Sequence, residues 1–115
     1  MAEFVSIKKD EVLFEDGDVA DAMYIVKSGV ISIIISDEKV QKEVSRVSTG
    51  QLIGEMSLFD KRFRSATAKA ITNAELVKLP YTKLESELAT MPEWVQVTLK
   101  TLVQKIRDAN KRILG

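Results

Sequence analysis

Apolar and polar positions alternate from Phe4 to Ile7, and the apolar character resumes at Glu11-Val12-Leu13-Phe14 after the charged Lys8-Lys9-Asp10. This predicts two short strands. Asp16-Gly17-Asp18 reads as a turn, since glycine tolerates positive φ and aspartate bonds its own backbone. Met23 to Val26 and Val30 to Ile35 are rich in β-branched and aromatic residues, and Lys27-Ser28-Gly29 between them predicts a hairpin. Asp37-Glu38-Lys39 makes the next polar turn. Val40, Val44 and Val47 mark a further strand, with Lys42, Glu43 and Arg46 facing solvent, and Ser48-Thr49-Gly50 closes it. Thr67 to Ile71 and Ala74 to Leu79 give two more strands, joined at Thr72-Asn73. Short strands at this regular spacing predict a closed or sandwiched antiparallel sheet, here a jelly roll.

At Pro80 the period changes. Tyr81, Leu84 and Leu88 lie at helical spacing, Met91-Pro92 interrupts, and proline suits a first helical turn. A second helix is therefore predicted from near Pro92 to about Leu114, with Gly115 as its stop. In it Val95, Leu99, Leu102, Ile106, Ala109 and Ile113 alternate steps of four and three residues. Such a stripe supports a helix pair, or equally the packing of this helix against the β-structure.

Composition narrows the picture by exclusion. The 115 residues, 45% of them hydrophobic, fit one compact domain with a real core. Lys plus Arg and Asp plus Glu balance at 17 each, so the excess positive charge that drives phosphate-backbone binding is missing and direct nucleic-acid binding is not expected. No apolar run approaches the roughly 20 residues of a membrane span, and the first residues lack the pattern of a secretory signal. The expected location is the cytoplasm. Cysteine and histidine are both absent, which removes thiolate chemistry, the commonest general base and most zinc sites. No catalytic residue and no metal ligand is assigned. A jelly-roll oxygenase or isomerase of the cupin kind, the enzyme alternative, would need histidine ligands on its strands.

The segment from Ile53 to Thr67 places an acid and a base around a short amphipathic turn. Gly54 lets the backbone take an unusual dihedral or approach a ligand closely. Met56, Phe59 and Phe63 recur at helical spacing, and amide groups at the start of such a turn face an anion with the positive end of the dipole. Arg64 offers a planar fork of donors to a phosphate, and Glu55, acceptor-only when ionised, suits a sugar hydroxyl. Together they match a nucleotide with one phosphate.

Here the sequence resembles a known family. Gly54-Glu55-Met56-Ser57-Leu58 followed by Arg64-Ser65-Ala66-Thr67 is similar to the phosphate-binding cassette of cyclic nucleotide-binding domains, found in catabolite-activator-type regulators, cyclic-nucleotide-dependent kinases and gated channels. The upstream run from Phe14 to Val30, with Glu15-Asp16-Gly17-Asp18, resembles that family's second signature. Ala20 departs from a frequent glycine, and Lys61-Arg62-Phe63 lacks a proline common before the arginine, but neither change removes a ligating group.

The resemblance implies an α+β chain, mainly β with C-terminal helices. Residues 1–115 would be one domain: an antiparallel β jelly-roll barrel over about 4–79, a short phosphate-binding helix within the cassette 53–67, and helices at 80–91 and 92–114. Family members carry a helix before the first strand, and almost nothing precedes Phe4 here. Glu55 would accept the ribose 2′-hydroxyl; Gly54 and the amides of Met56 and Ser57 would line sugar and phosphate. Arg64, helped by Ser65 and with Ala66 beside it, would pair with the cyclic phosphate. Leu52, Ile53 and Val44 fit an apolar pocket wall and equally a core. Asn110 lies in the region implied to contact the purine, with Lys105 and Arg107 nearby, while Trp94 and Tyr81 are assigned to packing. Ser65 leaves the base open, with cAMP favoured and cGMP possible. The implied role is a sensor that binds its ligand unchanged and passes the signal through the last helix to an output domain or partner, as a homodimer; the alternative is a ligand-free dimerisation module.

Overall fold

The computed structural model describes residues 3–55 and 63–114, for 110–114 the backbone alone. Eight strands precede two helices: β1 Glu3–Ile7, β2 Val12–Phe14, β3 Ala22–Ser28, β4 Ile31–Asp37, β5 Val40–Val47, β6 Leu52–Ile53, β7 Thr67–Ala70 and β8 Ala74–Pro80, then α1 Tyr81–Leu88 and α2 Glu93–Leu114. Period-2 patterning placed most of these strands within a residue or two. β6 is too short to show a period.

The strands form two antiparallel four-stranded sheets, ordered β1-β8-β3-β6 and β2-β7-β4-β5. The expected barrel is therefore corrected to two open sheets, since among the described residues neither closes and no ladder joins the edge strands of one to those of the other. The expected phosphate-binding helix falls mostly on 56–62, outside the described residues.

The predicted hairpin from Met23 to Ile35 is also corrected, because β3 and β4 lie in different sheets. At the corner Gly29 has φ +91°, and a Cβ there would stand 2.4 Å from the Asn73 carbonyl oxygen and 2.7 Å from Ala74 Cα. The backbone is thus pressed against the link between β7 and β8, which crosses between the sheets at the same place. The Ile71 amide donates to the Val30 carbonyl at 2.9 Å, and the Val30 amide donates to Thr72 Oγ1 at 3.1 Å. The β1–β2 link joins this cluster through the Lys9 amide, which donates to Asn73 Oδ1 at 2.9 Å. Apart from the β4–β5 hairpin, consecutive strands alternate layers, and at these corners the chain turns out of one sheet and into the other.

Between the layers lies the core. One sheet contributes Ile7, Tyr24, Val26, Ile53, Ala74 and Leu76; the other contributes Ile31, Val47, Ala68 and Ala70. In β3 the buried positions Ala22, Tyr24 and Val26 alternate with half-buried Met23 and Ile25, as the pleat requires. Pro80 ends β8 in an extended conformation, φ −58° and ψ 139°, and α1 starts on the next residue. The Val95 amide donates to the Pro92 carbonyl at 3.0 Å, so that proline sits at the start of α2 as predicted.

Candidate functional site

Three chain segments meet at one end of the first sheet. β6 pairs antiparallel with β3, Ile53 opposite Tyr24, which carries Gly54 alongside the Ala22 end of β3. β8 pairs with β3 from the other side, Pro80 opposite Ala22, so Tyr81 emerges at the same end. The Tyr81 amide donates to the Asp21 carbonyl at 2.9 Å and fixes the start of α1 there. The turn at Asp16-Gly17-Asp18 closes the site: the Arg64 amide donates to the Asp18 carbonyl at 2.7 Å, and the Gly17 amide donates to the Arg64 carbonyl at 2.8 Å. Both family signatures thus meet at the backbone of Arg64.

The Arg64 side chain is buried at 5% exposure. Its Nη2 donates to the Ala22 carbonyl at 2.5 Å and its Nη1 to the Tyr81 hydroxyl at 3.1 Å, while that hydroxyl donates in turn to the Gly54 carbonyl. The guanidinium carbon lies 4.2 Å from the Phe14 ring centroid and 5.9 Å from that of Tyr81. Gly54 has φ +83°, and a Cβ there would come within 2.6 Å of Arg64 Nη1. The two ends of the cassette are therefore in direct contact. Among the described residues Arg64 Nε is buried without a hydrogen-bond partner and no carboxylate pairs with this guanidinium.

A buried cation held by neutral oxygens and an aromatic face is costly unless something compensates its charge. The Phe14 face offsets on the order of 2 kcal/mol of that cost. An anion that accepts from Nε–H and a neighbouring Nη–H satisfies both charge and orphan donor. Burial raises the pKa of the Tyr24 phenol, with the Arg64 charge opposing, so Tyr24 stays neutral beneath Phe14, their ring centroids 6.3 Å apart. Among the described residues no group of three or more His, Cys, Asp or Glu side chains is placed to hold a metal ion.

The other predicted residues are spread more widely. Glu55 follows Gly54 directly and is half-buried, Ser65 is exposed and Ala66 half-buried. Ile53 belongs to the core, whereas Leu52, its neighbour in β6, is exposed. Val44 is exposed at the β4–β5 bulge, between Glu43 opposite Ile34 and Ser45 opposite Ile33. Asn110 lies in α2, its side chain outside the described residues, as are Met56 and Ser57 altogether. Sequence reasoning missed Phe14, the Ala22 carbonyl and the hydroxyl of Tyr81. Tyr81 follows the proline where the period changes, and its position alone does not distinguish a packing ring from a hydrogen-bonded one.

Residues 4–91 match the family model of the cyclic nucleotide-binding domain. The chain belongs to that family and is a regulatory, ligand-binding domain rather than a catalytic one. A lysophospholipase nte1 of Aspergillus terreus is 28% identical over 111 residues, which covers 96% of this chain and 7% of the relative. The chain thus spans a small fraction of that protein's length. The EAL enzyme Bd1971, solved in cAMP-bound and cGMP-bound forms, is 27% identical with a TM-score of 0.83, over 97% of this chain and 30% of that one. The catabolite activator protein of Thermus thermophilus is 25% identical with a TM-score of 0.82, over 97% of this chain and 53% of that one. Among the described residues no helix is long and apolar enough to cross a membrane.

Proposed function

We propose that this domain, taken as residues 1–115, binds a cyclic purine mononucleotide, cAMP ahead of cGMP, without transforming it. Arg64 with Ser65 and Ala66 takes the cyclic phosphate, and Gly54 with the amides of Met56 and Ser57 lines the sugar and phosphate. Glu55 accepts from the ribose 2′-hydroxyl. Leu52, Ile53 and Val44 are the proposed apolar wall, and Asn110 the contact to the base. The observation that carries this reading is the buried Arg64 guanidinium, pressed against Gly54 with its Nε unpartnered among the described residues. It is supported by the likeness to a protein solved with both nucleotides.

Binding favours whichever arrangement of the cassette and α2 holds the ligand more tightly, and α2 passes that preference to an output domain or partner. A second copy of the chain is the proposed partner of α2, because Leu99, Leu102 and Ile106 lie 37%, 50% and 49% exposed along it at three- and four-residue steps. The cytoplasm, which supplies the triphosphates from which cyclic mononucleotides are made, is the proposed location.

Calorimetric titration with cAMP and with cGMP tests the assignment. Arg64→Ala is expected to weaken binding on the order of 100-fold, the scale of removing one partner from a buried charged pair. Arg64→Lys, which keeps the charge but not the fork, should lie between the two. An Arg64→Ala domain that melts cooperatively and binds as tightly as the parent refutes the phosphate role.

A further inference from the structure

The Tyr81 hydroxyl touches both Gly54 and Arg64 of the cassette and also belongs to the helical segment. Tyr81 is the first residue of α1 and is 2% exposed. A phenol has one proton and two acceptor sites. Here the proton is committed to the Gly54 carbonyl, so the oxygen meets Arg64 Nη1 with a lone pair. Gly54 and Arg64, which bracket the cassette, are pinned by a single oxygen atom. On the other side of the guanidinium Nη2 is held by the Ala22 carbonyl, and the amide of Tyr81 itself is held by the adjacent Asp21 carbonyl. Arg64 and the first turn of α1 are thus moored to two consecutive residues of one strand end. Neither can shift without stretching the bond to the other.

We infer that Tyr81 is a positioning residue that couples the anion site to α1: its hydroxyl aims the Arg64 guanidinium and, when Arg64 turns toward a bound phosphate, gives up Nη1 and so changes how the first turn of α1 is held. Hydrogen bonds from a guanidinium to an anionic oxygen are about twice as strong as those to neutral oxygens, so a phosphate competes successfully for Nη1. Release or reorientation of the Tyr81 hydroxyl then loosens the start of α1 from the cassette. The inference rests on the proposed reading of Arg64 as the phosphate ligand.

Tyr81→Phe keeps the ring and removes only the oxygen. Amide hydrogen exchange of residues 81–88, with and without saturating cAMP, reads the coupling, and calorimetry reads the affinity. In the parent, saturation changes exchange across the first turn of α1. In Tyr81→Phe, also saturated, that change falls to less than about a third, and affinity drops about five-fold, the scale of one neutral hydrogen bond. Exchange in β3 and β8 stays as in the parent. An α1 response of parental size in Tyr81→Phe overturns the inference while leaving the phosphate role of Arg64 intact. A parent that binds but shows no α1 response overturns it as well, as does a loss of protection in β3 and β8 together with α1, which marks a merely structural role. A parent that binds neither cAMP nor cGMP overturns the underlying reading and this inference with it.

Discussion

Gly54 and Arg64 show how much of this site rests on single atoms. At Gly54 two constraints coincide: φ is +83°, where side chains are strained, and a Cβ would also lie 3.3 Å from the Ala22 carbonyl besides its clash with the guanidinium. Gly54→Ala is therefore expected to lower the unfolding free energy by about 1–3 kcal/mol, the usual cost of a strained backbone position, in urea titrations. Because the displaced atom is Nη1 of Arg64, the same variant should also weaken cAMP binding in calorimetry. Parental stability and affinity together would show that Arg64 has room to move. Glu55 and Arg64 stood out as candidates by residue type and order. Phe14 and Tyr81 were not, because what makes them part of the site is contact with a guanidinium distant in sequence.

Among the elements, β5 illustrates what alternation tells and what it hides. Its residues from Val40 to Arg46 are exposed, as the charged positions predicted. The ladder with β4 carries a bulge beside Glu43, however, and the Glu43 carboxylate accepts from the buried Ser32 hydroxyl at 2.5 Å and from Arg46 Nε at 2.7 Å. The Ser32 hydrogen bond first, and Arg46 second, hold the Glu43 pKa below its ordinary value of 4.5. A carboxyl whose pKa is lowered on folding adds stability above its unfolded pKa and loses it as pH falls through the folded value. The stability gap between parent and Glu43→Gln should therefore be open at about pH 6 and close on acidification below about pH 4.5, as followed by urea melts across pH. A gap independent of pH would place the effect in packing instead. Strand existence followed from pattern, but the bulge did not: period 2 gives no signal where the ladder itself skips a residue.

For the molecule as a whole, the open question of α2 is one of association. Leu99, Leu102 and Ile106 of its apolar stripe, with Trp94 also 71% exposed, stand toward solvent instead of in the core between the sheets. Light scattering over a range of concentrations is expected to give twice the chain mass, and Leu102→Glu to return the monomer without lowering the melting temperature of the β-structure, since Leu102 lies outside the buried core. A monomeric parent at high concentration would rule out pairing through α2. By itself the sequence determined most of the strands and the two C-terminal helices and singled out an acid and a base as candidates, because side-chain period and residue chemistry are local properties. Only the tertiary structure decided that β3 and β4 part into separate sheets, that no barrel closes, and that Arg64 meets Gly54, Phe14 and Tyr81. Those outcomes depend on how corners such as Gly29 stack against Asn73 and Ala74, a fit of backbone to backbone across distant segments that leaves no periodic trace in the chain.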